Sequence, residues 1–160
     1  MDYQIAGPSH KPFMQEMLYE AVFWGPNNRP SKAEAFALPD VAKALNAWSD
    51  RAGDTGLIAY HDKNTPVGAA WYRFWQCGDQ VRGYIDDETP VLVIAVKAEF
   101  RGQGVGGALL TQLKALAFEQ SLPYLSLMVS KQNPALHLYQ QQGFLLVEEF
   151  ASSHLMRVSL

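Results

Sequence analysis

Four glycines fall within six residues, at Gly102, Gly104, Gly106 and Gly107, and the chain then enters a run with helical spacing of apolar residues. Glycine lets the backbone approach a ligand closely, and the unbonded N–H groups at a helix start carry partial positive charge. The chemistry on offer is the binding of an anion, a diphosphate above all. Spacing narrows the choice. Read as Gly102-x-Gly104-x-x-Gly107, the run has the dinucleotide pattern, which needs a strand ending directly at the first glycine and an acid about 20 residues further on. Here Lys97 to Arg101 intervene after the apolar run "VLVIAV", and the end of the next predicted strand offers Val129, Ser130 and Lys131 instead of an acid. No Lys-Ser or Lys-Thr follows the glycines, so a P-loop is excluded as well.

The elements that must hold this loop are readable from periodicity. "YQIA" at 3–6 predicts a first strand, and Ser9 is a candidate N-cap for a helix carrying Phe13, Met14, Met17, Leu18, Ala21 and Val22 on its apolar positions. "WGPNNRPSK" ends it, and a second helix is expected from Pro39 to Trp48. "TGLIAYHD" and "TPVGAAWYRFW" read as an antiparallel hairpin, and the wholly apolar "VLVIAV" as a central strand covered on both faces. After the glycines, Val105, Leu109, Leu113, Leu116 and Ala117 predict a helix to about Gln120. "LPYLSLMVS" is the next strand, parallel to the one before the loop because a helix connects them. "NPALHLYQQQ" is a short helix stopped by Gly143, and "FLLVEEF" with "HLMRVSL" a closing antiparallel pair. The fold class expected is α/β: a mixed, mostly antiparallel sheet of about seven strands flanked by about four helices.

At 160 residues the chain has room for one core, and a single domain over 1–160 is expected. A net charge of −3 with no run of Lys or Arg argues against nucleic acid or an anionic membrane as partner. No apolar run approaches the ~20 residues of a membrane span, and the start lacks the order of a signal peptide, so a cytoplasmic location is expected. Cys77 stands alone and no Cys/His set has zinc spacing, so neither a disulfide nor a metal is expected.

Taken together, Ile94-Ala95-Val96, the run Arg101-Gly102-Gln103-Gly104-Val105-Gly106-Gly107-Ala108-Leu109-Leu110 and the later "NPALHLYQQQGF" resemble the GNAT superfamily of N-acetyltransferases over positions 90 to 144. Arg101-x-x-Gly104-x-Gly106 is then a coenzyme A loop. The resemblance implies an acetyl-CoA-dependent acyltransferase acting on a primary amine, of a small molecule or a protein, by direct attack in a ternary complex. It implies a strand splayed by a bulge whose backbone at Ile94, Ala95 and Val96 bonds the pantetheine arm, and loop amides, with Arg101, Gly102, Gln103, Gly104, Val105, Gly106 and Gly107, on the diphosphate. Asn133 is similar to an Asn that touches the cofactor arm, with Gln132 as an alternative because the spacing to Tyr139 is six where many relatives have seven. Tyr139 resembles the acid beside the thioester sulfur, and the Val96 N–H the oxyanion donor. Homodimerisation is left open.

An alkylammonium must lose a proton before it can attack, which at neutral pH costs about 4.6 kcal/mol. Relatives with Pro-Glu-Leu at the head of the strand before the loop use that Glu as base; this chain has Pro90-Val91-Leu92. Glu88, with Asp87 beside it, is the candidate base, and solvent the alternative. The missing Glu also motivates a second reading, a catalytically weak acyl-CoA-binding or sensing module. Trp24, Trp71, Tyr72, Phe74 and Trp75 are expected to frame the acceptor pocket, with either 71, 73 and 75 or 72 and 74 facing it.

Overall fold

The computed structural model describes all 160 residues. Seven strands form one sheet: β1 (Asp2–Ile5), β2 (Thr55–Asp62), β3 (Thr65–Arg73), β4 (Val91–Val96), β5 (Tyr124–Ser130), β6 (Leu145–Glu149) and β7 (Ser153–Ser159), in spatial order β1-β2-β3-β4-β5-β7-β6. Only β4 and β5 run parallel. Five α-helices accompany them: α1 (Lys11–Val22), α2 (Lys32–Ala37), α3 (Pro39–Ala42), α4 (Val105–Glu119) and α5 (Ala135–Gln141). The mixed, mostly antiparallel sheet is the expected architecture, with one helix more than expected.

Two apolar clusters sandwich the sheet. Leu92 and Ile94 on one face of β4 join Val105, Leu109, Leu113 and Tyr139 beneath α4 and α5. Val93 and Ala95 pack on the other face against Met14, Met17, Leu18 and Trp71 beneath α1. Period-2 alternation thus sends an all-apolar strand into two cores, as a strand with no solvent face requires.

The differences from expectation lie between residues 8 and 49. Ser9 does not cap α1; Pro8–His10 form a 3₁₀ turn, closed by the Gly7 N–H on His10 Nδ1 at 2.9 Å, and the helix starts at Lys11. The additional helix is α2. Ser31 Oγ accepts the Glu34 N–H at 3.1 Å and bonds the Glu34 carboxylate at 2.9 Å, so Ser31-x-x-Glu34 is the sequence signal for it. The expected helix from Pro39 to Trp48 stops early: α3 passes into a 3₁₀ turn at Lys43–Leu45, and Ala47 and Ser49 take φ of 53° and 75°. The carbonyls that a continuing helix would use are drawn instead to Arg73, whose guanidinium donates to Ala44 O at 3.2 Å and Asn46 O at 2.7 Å.

Candidate functional site

The β4–β5 pair holds at a single register position, Val91 opposite Ser126, with the Ser126 N–H on Pro90 O at 3.1 Å. Beyond it the strands part, while each keeps its other neighbour: β3 pairs with β4 from Arg73–Val91 to Gly68–Val96, and β5 with β7 over its full length. The β3–β4 register is unbroken, so the splay arises without the expected bulge in β4. The segment before β4 sits at the branch point: Ser126 Oγ donates to Gly83 O at 2.7 Å, and a Cβ on Gly83 would lie 2.7 Å from Val91 Cγ1 and 3.3 Å from Met128 N.

Ladder parity then tells which backbone groups are left over. The Lys97 N–H reaches Val67 O, which makes Gly68–Val96 a non-hydrogen-bonded pair and Ala95–Ala69 a bonded one. Ala95 is therefore occupied by β3, contrary to the expectation that it bonds the cofactor arm. The N–H and C=O of Ile94 and the N–H of Val96 point instead into the gap. The Val96 carbonyl points the same way and is taken by Arg101 Nε at 2.9 Å. Across the gap the same parity turns the peptide groups of Met128 toward β4. Two facing rows of unpaired polar groups cost free energy unless water or a ligand bonds them.

At the open end of this gap lies the glycine loop. None of the N–H groups of Gly102, Gln103, Gly104, Val105, Gly106 and Gly107 donates a hydrogen bond within the protein; the first that does is Ala108, on Gly104 O at 3.0 Å. Gly102 and Gly104 have φ of 73° and 85°, the left-handed geometry that turns successive amides toward one concavity and that other residues adopt at a cost. Gly106 serves a different need. A Cβ there would stand 3.0 Å from Leu138 Cδ2 and 3.9 Å from Val96 Cγ2, so the ends of β4, α4 and α5 converge on it.

Tyr139, next to Leu138, lies in the buried cluster with Ile94 and Val105 and packs edge-on against Phe144 at 5.8 Å. Its hydroxyl makes no hydrogen bond within the protein, yet Trp48 Nε1 is the sole sealed and unpartnered side-chain polar atom, so the phenol end retains access. Burial pushes the Tyr139 hydroxyl well above the usual tyrosine pKa. Asn133 Oδ1 accepts the Ala135 N–H at 3.0 Å in the turn that leads into α5, leaving its amide NH₂ free, whereas Gln132 is exposed. The structure thus gathers Ile94, Val96, the loop amides and Tyr139 around one gap. Glu88 is not among them: it stands exposed in the turn before β4, on the far side of the Val91–Ser126 pair from where the strands part.

The aromatic pocket is not formed as expected. Trp71 and Tyr72 are both buried, Trp71 against Trp48 beneath α1 and Tyr72 beneath α4 with its hydroxyl on Gln120 at 2.8 Å. Trp75 is covered by the protein's own cations, with Arg51 at 4.4 Å and Arg73 at 5.8 Å from its ring. A cavity of about 530 Å³ lined by Arg51, Phe74, Trp75, Asp79 and Asp87 opens beyond the Arg73 end of β3. It lies roughly 17 Å along β4 from Val96 and is no part of the glycine-loop site.

The convergence of a splayed strand pair, an amide-lined glycine loop and a buried tyrosine is matched at the level of sequence. A profile of the acetyltransferase (GNAT) family matches residues 17–144. The chain belongs to this family. No curated protein matches it in sequence. Solved structures share the fold at low identity. The ribosomal-protein-alanine N-acetyltransferase of Brucella melitensis is 19% identical, with a TM-score of 0.67 and coverage of 100% of both chains. A GCN5-related N-acetyltransferase of Kribbella flavida is 19% identical with a TM-score of 0.71, over 99% of this chain and 98% of its own. The PaiA N-acetyltransferase of Thermoplasma acidophilum, solved with coenzyme A, is 15% identical with a TM-score of 0.70, over 100% of both. The acyltransferase expected from the resemblance is thus a GNAT acetyltransferase in family and in fold. No helix is long and apolar enough to cross a membrane.

Proposed function

We propose that the protein transfers an acetyl group from acetyl-CoA to a primary amine by direct attack. The observation that carries this is the row of six unbonded amides, Gly102 to Gly107, set at the end of a gap lined by unpaired peptide groups. A diphosphate fits the first, and an extended arm with two amides fits the second. That the Thermoplasma protein and a phosphinothricin acetyltransferase of Sinorhizobium meliloti, 19% identical, were solved with coenzyme A or acetyl-CoA supports the same donor here.

The bound thioester supplies an activated acetyl group. The protein's residues orient it and manage charge. Loop amides and the helix dipole of α4 hold the diphosphate, and Ile94, Met128 and the free NH₂ of Asn133 bond the arm. The Val96 N–H, which points into the gap, is the donor for the carbonyl oxygen as it gains negative charge. The Tyr139 hydroxyl, kept protonated by burial, delivers its proton to the departing sulfur. The amine proton goes to solvent, since Val91 is buried and aliphatic and Glu88 lies outside the gap. Glu88→Gln is accordingly expected to leave the pH profile of kcat/KM unchanged.

Calorimetry with acetyl-CoA, followed by thiol release over an amine panel, tests the whole reading. Saturable binding with turnover on at least one amine is expected, and no binding at millimolar acetyl-CoA overturns it. The absence of a carboxylate at Val91 favours one other reading, an acyl-CoA-binding module without efficient chemistry; binding without turnover on any amine would select it. Gly104→Val forces a branched side chain into φ of 85° and turns the amides out of register. It should weaken acetyl-CoA binding by about tenfold or more, while costing only about 1–3 kcal/mol of stability by denaturant unfolding.

A further inference from the structure

Arg101 begins the glycine loop, and a guanidinium beside a diphosphate site invites assignment as a direct ligand. Two of its three nitrogens are engaged within the protein. Nε is committed to the Val96 carbonyl at 2.9 Å, and Nη2 to Glu20 Oε2 at 3.3 Å. Glu20, near the end of α1, holds Arg29 with its other oxygen at 2.9 Å. Arg29 in turn lies over the ring of Tyr19 at 4.9 Å, and the Tyr19 hydroxyl donates to Pro30 O. One carboxylate therefore ties the glycine loop and the end of β4 to the segment that follows α1.

The loop has little else to hold it. A Cβ on Gly102 or Gly104 would meet nothing within 4 Å, residues 101–104 are exposed, and none of the loop amides is bonded internally. The other hydrogen bonds of residues 101–104 are the Arg101 N–H on Ala98 O at 3.3 Å, the Gln103 side chain on Glu99 O at 3.1 Å and the Ala108 N–H on Gly104 O at 3.0 Å, where α4 begins. A loop not fixed in advance must lose conformational freedom when a ligand binds, and affinity falls by that amount.

We propose that Glu20 is a positioning residue that clamps Arg101 onto the Val96 carbonyl, so that the loop amides and the free N–H groups of β4 are presented to acetyl-CoA in one fixed arrangement. Arg101 acts in this as a two-pronged brace and makes no direct contact with the diphosphate. The inference rests on the acetyl-CoA reading given above and adds to it a residue from α1, outside every motif of the site.

A guanidinium can bond two acceptors at fixed angles, which a lysine ammonium on its flexible stem cannot do in the same way. Exposed ion pairs of this kind contribute little to fold stability, so their loss shows in binding and not in unfolding. The experiment is calorimetric titration of acetyl-CoA into the wild-type protein, Glu20→Gln, Arg101→Lys and the double variant, at several salt concentrations, with thermal unfolding midpoints alongside. Glu20→Gln and Arg101→Lys are each expected to weaken binding about five- to tenfold, with no further loss in the double variant, because both remove the same brace. Midpoints should be unchanged. Arg101→Gln should keep the salt dependence of the wild type, since no phosphate contact is lost. Wild-type affinity in Glu20→Gln, losses that multiply in the double variant, or a flattened salt dependence in Arg101→Gln would each overturn the brace and leave the acetyl-CoA reading standing. Failure of the wild-type protein to bind would overturn both.

Discussion

Tyr139→Phe is expected to lower kcat with a responsive amine by about 10²–10⁴-fold, the range for loss of a positioned general acid, and to leave acetyl-CoA binding unchanged. The ring keeps its place: it packs on Phe144 and among Ile94 and Val105, and its hydroxyl has no protein partner to lose. In water a phenol near pKa ~10 is about 1.5 units too weak to protonate a thiolate of pKa ~8.5 without cost. Burial raises Tyr139 further, but a thiolate released into the same apolar surroundings is raised by the same desolvation, so the mismatch stays small. The raised pKa has a second consequence. Tyr139 stays protonated to well above pH 10, so kcat should show no alkaline decline between pH 8 and about pH 10 that belongs to this group. Steady-state kinetics over that range, with single-turnover thiol release, measures both effects. A loss below tenfold on removing the hydroxyl would exclude the phenol as the proton source, and an alkaline limb in this range that disappears in Tyr139→Phe would show that its pKa is not raised.

The same shift bears on stability. A tyrosine with a higher pKa folded than unfolded binds its proton more tightly in the native state, so its contribution is complete below about pH 10 and is lost as pH rises beyond. Tyr139 behaves this way through burial. Tyr84, hydrogen-bonded to Asp87, is pushed up to about 12 and adds in the same direction.

Arg73→Met is expected to destabilise the fold by about 3–5 kcal/mol, the cost of breaking a buried ion pair by removing one partner. Arg73 and Asp54 each have side chains 1% exposed and are joined at 2.9 Å. Asp54 keeps a second bond to the Ser49 N–H at 3.0 Å, but its charge would be left uncompensated. Carbonyls of Ala44 and Asn46 would lose their donor at the same time. Denaturant unfolding gives the number directly. Arg73→Met combined with Asp54→Leu should cost clearly less than the two single changes added, because no buried charge then stands alone. A loss for Arg73→Met of under about 1 kcal/mol would mean that the pair is dispensable.

Much of the site was legible before any coordinates. The glycine loop, "VLVIAV" and "NPALHLYQQQGF" define their own elements, because each is a local pattern: apolar alternation, a helix start freed of side chains, a helix stopped by Gly143 at φ of 90°. The strands came out within a residue or two for the same reason. The region 31–54 was harder. Ser31-x-x-Glu34 is a local helix-start signal, but it stands among Pro30, Pro39 and the turn residues 25–28, which mask it. No local signal announces the early end of α3, because the cause is Arg73, some 30 residues further along the chain, drawing off its carbonyls.

The amino-acid sequence alone determined the strands and the helices around the glycine loop, their order, the family resemblance and the loop that an anion would meet, since backbone freedom and apolar periodicity act over a few residues. Only the tertiary structure decided that β4 and β5 part after one pair without a bulge, that Ala95 is spent on β3 while the N–H groups of Ile94 and Val96 are free, and that Glu88 stands apart from the gap. It also decided that Trp71 and Tyr72 are core and that Glu20 reaches Arg101 across 81 residues of chain. Which groups remain unbonded depends on what every neighbouring strand has already claimed, and that is a property of the assembled sheet.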